Sequence, residues 1–326
     1  MRTVIYAPPS AGCDNSVRIL GSIIDPVVQQ RGGSLVQLRL DARITRQALD
    51  RHPTADLDVD CAFFLERIVE HPALMKARHR ILIPNPEWLG PRMEHLAASC
   101  TQVWHKSRDS LSRLGPIFPQ AQHAYLGFTS EDPGCLVTEH ASFVHLRGKL
   151  QTRRNTDSIF AAWKSGRDWP DLYVHFYGGA GGSIDYPGWL HDGNVHVRMG
   201  WLERRDYFDL AARHGIHLCT SEVEGFGHYI NEARAMGALV IAVDGPPMNE
   251  LVDDSCGILV RARSASAVNR GTRFGITPDD LALAIERALR LGLDERRELG
   301  AKARARFLSE STAFRERARD LIAGLA

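Results

Sequence analysis

One stretch of the sequence decides the fold, and it reads Thr220-Ser-Glu-Val-Glu-Gly-Phe-Gly-His-Tyr-Ile-Asn-Glu-Ala-Arg-Ala-Met-Gly-Ala-Leu-Val-Ile-Ala-Val-Asp244. Its pattern predicts a loop, then a helix that begins near Gly227, then a buried parallel strand over 238–243. Gly237 stands where helices commonly end, because glycine adopts the left-handed backbone without a steric cost. A loop, helix and apolar strand in close succession are typical of α/β folds.

The loop and the start of the helix predict the chemistry of a ligand. Gly225 and Gly227 flank Phe226 at the point where a helix leaves unpaired N–H groups and the positive end of its dipole, which favour a phosphate. Glu224 and Glu232 stand on either side of this point. Carboxylates repel a phosphate but accept hydrogen bonds from hydroxyls. The combination favours a ligand that carries both groups, such as a sugar nucleotide.

The bulk properties argue against several classes of protein. A chain of 326 residues suggests two domains, and a net charge of +1 gives no field that would attract nucleic acid or an anionic membrane. The sequence contains no apolar run long enough for a membrane span, and we expect its N-terminus to form a short strand rather than a signal peptide. Its six cysteines lack any metal-binding spacing. We therefore expect a cytoplasmic protein with reduced thiols and no integral membrane segment.

Apolar strand-like runs alternate with helical patterns along the whole chain, which predicts doubly wound parallel sheets. The segment 127–134 interrupts this pattern and marks the boundary between a domain over 1–130 and another over 131–308. The predicted strands are 3–7, 35–40, 80–83, 101–104, 142–146, 172–177, 195–199, 217–220 and 238–243. The predicted helices include 15–31, 92–99, 109–114, 278–291 and 294–325.

The glutamate pair is the centre of a family resemblance. Glu224-Gly-Phe-Gly, seven intervening residues before Glu232, and the Glu-Ala, Met-Gly and Val-Ile pairs that follow resemble the donor motif of retaining GT-B glycosyltransferases of the group 1 type. The likeness covers about Ser142 to the C-terminus. It implies two Rossmann-like domains facing a cleft, the first binding the acceptor and the second the nucleotide sugar. The last helix, about 309–326, would cross back to the first domain.

The resemblance also implies roles for the residues of the motif. Glu224 would hold hydroxyls of the donor sugar, and Glu232 would hold the ribose of the nucleotide. His228 and Tyr229 would offer backbone N–H groups to the diphosphate. The remaining donor-binding candidates are backbone positions, namely Gly12, Gly200, Gly225, Phe226 and Gly227.

Two of these backbone positions lie outside the motif. Gly200 belongs to a segment similar to the one that edges the nucleobase. Gly12 lies in a turn that the sequence predicts between the first strand and the first helix, at the ligand-binding edge of a sheet. A plain strand-to-helix loop is an equal alternative for Gly12.

A basic stretch from Leu146 to Asn155 supplies cations. It is similar to the family's Gly-Arg and Lys-Asn segment, with Lys149 in the place of the arginine and Arg154 in the place of the lysine. Two cations beside a diphosphate would stabilise it as it departs. The alternative is a solvated basic turn.

The first half of the chain offers candidates for the acceptor side. Asn85, Glu87 and Trp88 stand in an unusual loop, Ile83-Pro-Asn-Pro-Glu-Trp88, and His105 follows the next predicted strand. The tryptophan could stack on a sugar ring, and the glutamate could orient a hydroxyl. A rigid turn with a core tryptophan and a structural histidine are the alternatives.

The resemblance implies a retaining, metal-independent hexosyl- or pentosyltransferase that uses a nucleotide sugar, with a UDP, GDP or similar carrier, as co-substrate and needs no cofactor. The alternatives are a GT-B sugar-nucleotide epimerase and a non-catalytic nucleotide-sugar-binding module. Glycosylation of a nucleic acid stays open. So do the donor sugar, the acceptor and the oligomeric state.

Overall fold

A computed structural model describes residues 1–41, 44–148, 153–165, 168–177 and 189–325. The chain divides into two units. Unit 1 comprises Met1–Glu131, Ala267–Thr272 and Glu310–Ala326, and unit 2 comprises Asp132–Ser266 and Arg273–Ser309. Lys149, one of the two cations predicted for the donor site, lies outside the described residues.

Unit 1 is built on a parallel sheet with the strand order β2-β1-β3-β4-β5-β6. The strands are β1 (Arg2–Ala7), β2 (Ser34–Arg39), β3 (Cys61–Glu66), β4 (His79–Pro84), β5 (Gln102–His105) and β6 (Gln122–Tyr125). The helices are α1 (Ala11–Gln30), α2 (Arg46–Asp50), α3 (Pro72–Lys76), α4 (Pro91–Ala97) and α5 (Arg108–Leu114), with a 3-10 turn at Pro86–Trp88.

The sequence analysis missed β3, which lies in the middle of this sheet. Its residues, Cys-Ala-Phe-Phe-Leu-Glu, are apolar on both faces, as expected of a parallel strand covered by helices on each side. Phe63 packs edge-on against Trp104 with ring centroids 5.3 Å apart, and Phe64 packs against Tyr6 at 6.3 Å. A short apolar run without alternation resembles a buried helix segment as much as a strand, which explains the omission.

The first helix begins earlier than the sequence predicts. Ser10 caps it, because its hydroxyl accepts a hydrogen bond from the Cys13 N–H at 3.2 Å, and the helix starts at Ala11 rather than at Asn15. The predicted turn at Gly12 is therefore wrong, since this glycine lies in the first helical turn. A Cβ atom at Gly12 would meet nothing within 4 Å, so no close approach to another part of the protein requires a glycine there.

Unit 2 contains a sheet with the strand order β13-β12-β11-β7-β8-β10-β9, in which β9 alone runs antiparallel to its neighbour among the described pairings. The strands are β7 (Phe143–Gly148), β8 (Leu172–Phe176), β9 (Trp189–Asp192), β10 (Val195–Met199), β11 (Ile216–Cys219), β12 (Leu239–Asp244) and β13 (Gly257–Arg261). The helices are α6 (Thr156–Trp163), α7 (Arg204–Ala212), α8 (His228–Ala235), α9 (Met248–Leu251), α10 (Pro278–Arg290) and α11 (Leu293–Ala323).

The stretch that decides the fold behaves as predicted. β11 leads into a loop, α8 begins after Gly227 with φ 101°, and Gly237, with φ 72°, connects the helix to β12. Residues 239–243 of β12 are buried, as in a central parallel strand. Ile230 and Asn231 donate the first backbone bonds of the helix, both to the Gly227 carbonyl, at 3.1 Å.

The tip of a hairpin and the end of α11 complete unit 1. The hairpin consists of β14 (Ser264–Val268) and β15 (Gly271–Gly275), and its tip places the Asn269 side-chain amide 2.6 Å from the Glu87 carbonyl. Near the end of α11, Phe314 packs on Phe128 with ring centroids 4.9 Å apart, and Arg317 donates to the Leu126 carbonyl at 2.9 Å. The sequence predicted α10 and α11 to within a few residues but not the hairpin.

Candidate functional site

The candidate donor site lies at the carboxyl edge of the sheet in unit 2. β7 and β11 are hydrogen-bonded neighbours, so the segments that follow them, 153–155 and 220–227, come together at one edge. Open α/β sheets bind their ligands at this edge. The structure thus brings together the two predicted motifs, which are about seventy residues apart in the sequence.

Glu224 is held by a chain of hydroxyl groups. The Ser221 hydroxyl donates to Glu224 Oε1 at 2.6 Å and lies 2.7 Å from the Tyr229 hydroxyl. Because the Ser221 proton goes to the carboxylate, the Tyr229 hydroxyl is the donor in the second bond. Ser221 and Tyr229 are buried, whereas Glu224 is half-buried. The carboxylate is therefore oriented by Ser221, and the residue keeps part of its surface exposed to solvent.

Arg154 lies beside this network. Its guanidinium carbon is 3.6 Å from the centre of the Tyr229 ring, a cation–π contact, and its Nη1 donates to the Leu146 carbonyl. Burial acts to lower the pKa of Arg154, but the neighbouring Tyr229 and Glu224 outweigh it, and the pKa lies above its usual value. The residue is therefore a permanent cation. Its Nε is buried and has no hydrogen-bond partner within the described part of the chain.

The backbone fixes Arg154 against the glutamate loop. Asn155 adopts a left-handed conformation with φ 50° and donates from its side chain to the Thr220 carbonyl at 3.1 Å. The Thr220 hydroxyl donates to the Arg154 carbonyl at 2.7 Å, and the Glu222 N–H donates to the Arg153 carbonyl at 2.9 Å. The asparagine of the Arg-Asn pair thus joins two segments, a function that the resemblance did not assign to it.

Glu232 lies deeper than Glu224. It belongs to the second turn of α8 and is buried. Its negative charge adds to burial in raising the pKa values of Tyr207 and Cys219. Phe226 and Gly227 are buried at the start of the helix, and His228 is half-buried with its ring edge-on to Phe226 at 5.3 Å.

Gly200 follows β10 with φ 126°, a conformation that favours glycine. Its carbonyl accepts a hydrogen bond from His175 Nε2 at 3.1 Å, and burial lowers the pKa of His175 to about 4, so the ring is neutral. The next residue, Trp201, is 60% exposed and packs edge-on against Tyr177 at 4.7 Å. Trp201 was not among the predicted site residues, although it directly follows Gly200, which the resemblance implies to lie beside the nucleobase.

Unit 1 holds the predicted acceptor-side residues, and they differ in accessibility. Asn85 and Glu87 are buried, and Asn85 accepts a hydrogen bond from Lys106 Nζ at 2.9 Å. Trp88 is 45% exposed, with the Arg67 guanidinium 4.7 Å from its ring centre, so it is not a core tryptophan. Its accessible face is compatible with stacking.

His105 is enclosed by the protein and is not accessible to a ligand. The residue is fully buried, and its ring nitrogens lie 2.9 Å from the Ser110 hydroxyl and 2.8 Å from His123 Nδ1. Burial lowers the pKa of His105 to about 3, which keeps the ring neutral. The expectation that His105 faces a ligand is therefore corrected, because both nitrogens are engaged within unit 1.

The chain contains an Asp-x-Asp-x-Asp motif, Asp56-Leu-Asp-Val-Asp60, which the expectation of metal independence did not take into account. It directly precedes β3, at the amino end of the strand, and Asp60 accepts a hydrogen bond from the Arg2 N–H at 2.7 Å. It is therefore remote from the ligand-binding carboxyl edge of the same sheet. Within the described ranges, no group of three His, Cys, Asp or Glu side chains could hold a metal ion.

Two further expectations concerned the cysteine thiols and the absence of an integral membrane segment. All six cysteines are free, five of them buried and Cys135 half-buried. Among the helices of the described residues, none combines the length and the apolar character needed to cross a membrane.

Solved structures share this architecture. A glycosyltransferase from Rickettsia africae superposes with a TM-score of 0.69 at 13% identity, covering 99% of this chain and 98% of that one. A sucrose-phosphate synthase from Thermosynechococcus elongatus gives 0.72 at 14%, covering 100% and 99%. Anabaena HepE, in complex with UDP and glucose, gives 0.69 at 13%, covering 99% and 100%. No protein-family model and no curated protein matches the chain.

These similarities establish the fold class. The chain has the GT-B fold, an α/β architecture with two Rossmann-like units, one built on a parallel sheet and the other on a sheet that is parallel except for β9. The fold predicted from the glutamate motif is confirmed. At 13–14% identity the resemblance extends to the fold alone, and activity must be argued from the residues.

Proposed function

We propose that the protein is a glycosyltransferase that moves a sugar from a nucleotide-sugar donor to an acceptor hydroxyl with retention of anomeric configuration. The observation that carries this proposal is the pairing of Arg154 with Glu224 across the Tyr229 ring at the carboxyl edge of unit 2. One side of that pair suits a phosphate, and the other suits a hydroxyl. A sugar nucleotide carries both groups next to each other.

The donor would be bound by groups with separate roles. Arg154, together with Lys149, would offset the charge of the diphosphate, and the first N–H groups of α8, at His228 and Tyr229, would add to this. Glu224 would accept hydrogen bonds from the sugar hydroxyls. Glu232 would hold the ribose, and the backbone at Gly200 would edge the base.

The chemistry follows from where charge develops. As the bond between the anomeric carbon and the phosphate oxygen breaks, negative charge grows on the leaving diphosphate, and fixed cations stabilise that state more than the ground state. In a front-face path the leaving phosphate oxygen takes the proton of the acceptor hydroxyl, so the protein need not supply a nucleophile. No metal and no cofactor are part of this proposal.

Two fold neighbours make a uridine nucleotide the first donor to test. HepE is in complex with UDP and glucose, and an E. coli enzyme of trehalose 6-phosphate synthesis is bound with UDP-2-fluoro glucose. We propose a UDP-sugar as the donor, with GDP-sugars as the next candidates. The acceptor would be read by unit 1, where Trp88 offers an exposed ring face.

A thermal-shift panel of nucleoside diphosphates and their sugars tests the proposal. A ligand present at 100 times its dissociation constant stabilises the folded state by about 2.7 kcal/mol, which shifts the melting temperature measurably. We expect UDP and a UDP-sugar to stabilise the protein and Glu224→Ala to weaken the response to the sugar more than the response to UDP. Stabilisation by no nucleotide would refute the proposal.

Turnover separates the enzyme from a non-catalytic binding module. Both would bind the donor, but only a transferase releases UDP faster when an acceptor is present. Identical UDP release with and without a broad mixture of sugar acceptors would favour the binding module.

A further inference from the structure

A buried ion pair lies at the carboxyl edge of the sheet in unit 1, and none of the sequence motifs includes it as a pair. Lys106 Nζ lies 3.7 Å from Glu66 Oε1 and donates to Asn85 Oδ1 at 2.9 Å. Glu66 ends β3, Asn85 follows β4, and Lys106 follows β5. Because β4 lies between β3 and β5, three adjacent strands deliver these side chains to one point.

The two charges differ in their access to solvent. The Lys106 side chain is 1% exposed and lies 5.1 Å from the centre of the Phe128 ring, whereas the Glu66 side chain is 15% exposed. Removing a charge from water costs several kcal/mol, so the lysine depends on its partners. Lys106 is the more buried member of the pair, and Glu66 is the member that a dissolved ligand can contact.

The backbone at Glu66 is unusual as well. Its φ is 63°, in the left-handed region, which costs a residue with a side chain about 1–2 kcal/mol. Strain of this kind is concentrated at functional sites, where the surrounding structure maintains it. The left-handed backbone conformation sets the direction of the Glu66 side chain at the end of β3.

The position of Glu66 in the sheet is the one at which open α/β sheets bind ligands. β1 has β2 on one side and β3 on the other, so the direction in which strands are added to the sheet reverses between β1 and β3, and the crevice forms at the carboxyl ends of these two parallel strands. Cys13, in the helix that follows β1, lies close enough for Glu66 to add to burial in raising the pKa of the thiol to about 12. Glu66 therefore faces the segment after β1.

We propose that Glu66 binds a hydroxyl of the acceptor and that Lys106 is a positioning residue that fixes the Glu66 carboxylate. An accessible carboxylate accepts hydrogen bonds from hydroxyls and repels phosphates and carboxylates. The part of the acceptor that contacts unit 1 is therefore neutral and carries several hydroxyl groups. The assignment of this compound as the acceptor rests on the proposed function, but its binding to unit 1 does not require a donor.

Ligand-observed saturation-transfer NMR on the full chain without nucleotide tests this assignment. The probes are glucose, galactose, mannose and myo-inositol as neutral compounds, and glucose 6-phosphate and glucuronate as anionic ones. We expect at least one neutral probe to bind more tightly than both anionic ones, and Glu66→Gln to weaken it at least tenfold. Binding of no neutral probe, preference for an anionic one, or unchanged binding by the variant would each overturn the proposal.

Glu70→Gln is the matched control, because Glu70 belongs to the same unit and pairs with Arg92 at 3.0 Å on the surface. It should bind the neutral probe as the wild type does. If Glu66→Gln does not fold, Glu66→Asp keeps the charge opposite Lys106 but withdraws the carboxylate by one methylene. The same loss of binding is expected.

Lys106→Met tests the positioning role. If the lysine acts through Glu66, this variant weakens binding of the neutral probe, and the double variant with Glu66→Gln binds no more weakly than Glu66→Gln alone. Additive losses, or a lowered melting temperature with unchanged probe affinity, would show that the lysine is only structural.

Calorimetric titration of UDP into the same proteins distinguishes this proposal from the proposed function. Wild type, Glu66→Gln and Lys106→Met should bind UDP with equal affinity. Absence of UDP binding in all three would remove the transferase proposal while leaving the sugar result standing. Normal UDP binding with intact sugar binding in Glu66→Gln would remove only the proposal for Glu66.

Discussion

The carboxyl edges of the two sheets hold their charges in different ways. In unit 2, Arg154 and Glu224 are connected through the ring and hydroxyl of Tyr229 and through Ser221. In unit 1, Glu66 and Lys106 face each other at 3.7 Å. A charge separated from its counterion by neutral groups keeps more of its field for a ligand than a charge in a direct pair, where the counterion offsets part of that field.

The two edges also differ in how the sequence encodes them. The glutamate loop and the start of α8 are continuous from Ser221 to Glu232, so their residues form a motif. Glu66, Asn85 and Lys106 come from three strand ends about twenty residues apart. The edge of unit 1 is therefore a property of the sheet and becomes visible only in the fold.

The largest expected difference between the units is their response to acid. Burial holds histidine pKa values far below the ordinary value of about 6.5, so the unfolded state takes up protons as the pH falls below about 6.5 while the folded state does not. The contribution of these neutral histidines to the free energy of unfolding is therefore complete above this pH and is lost progressively below it. Burial lowers the pKa to about 3 or about 4 at four positions of unit 2, which are His145, His175, His214 and His217.

At pH 5 each such histidine costs on the order of 2 kcal/mol of stability, so the four in unit 2 together cost more than His105 does in unit 1. Hydrogen exchange at pH 7 and pH 5, corrected for intrinsic rates, should show protection lost first in β7 and β11. His145→Gln should reduce the loss, and the exposed His95→Gln should not. Equal loss of protection in both units would contradict this.

The next largest effect concerns the donor site. We expect Glu224→Ala and Lys149→Ala each to lower the turnover number by about 10³-fold while leaving the melting temperature within a few degrees, since each would remove a contact made to the donor. Steady-state kinetics with the donor identified by thermal shift measures this. Glu222→Ala, two residues from Glu224, should retain activity. Near wild-type turnover in either test variant would show that the assignment of that residue is wrong.

A smaller effect is expected at Arg154, and the chain supplies its control. Arg153 is exposed, whereas the Arg154 guanidinium lies over Tyr229. Arg154→Met should lower turnover by about 10²-fold through the loss of a fixed cation, and Arg153→Met should lower it less than threefold. Similar losses in both variants would indicate a diffuse basic surface, which was the alternative for this stretch.

The smallest effect is expected from the hydroxyl that connects the pair. Tyr229→Phe keeps the ring under Arg154 but removes the hydrogen bond to Ser221, which contributes about 1 kcal/mol. Turnover should fall about fivefold and urea stability by about that energy. A loss as large as that of Glu224→Ala would mean that the hydroxyl itself contacts the donor.

Much of unit 2 could be predicted from its sequence because its signals are local. The helix start at Gly227, its end at Gly237 and the strand over residues 239–243 depend on backbone geometry and apolar runs within a few residues. The contact between Arg154 and Tyr229 depends in addition on the pairing of β7 with β11, which the sequence did not predict.

The wrong predictions in unit 1 concern features that local sequence patterns do not show. β3 was missed because a run buried on both faces shows no alternation. Gly12 was placed in a turn because the capping role of Ser10 was not recognised. His105 looked accessible because it ends a strand, but its environment depends on Ser110 and on His123 of the next strand, which only the folded sheet brings within bonding distance.

The path of the chain limits how this protein can be divided. Unit 1 includes Ala267–Thr272 and everything from Glu310 onward, so the chain passes from one unit to the other four times. A gene fragment ending at Glu131 would lack Phe314, the cover of Phe128, and Asn269, the donor to the Glu87 carbonyl. Exchange of unit 1 between proteins of this fold therefore calls for a graft of three segments, because a single crossover would leave the first unit without part of its own core.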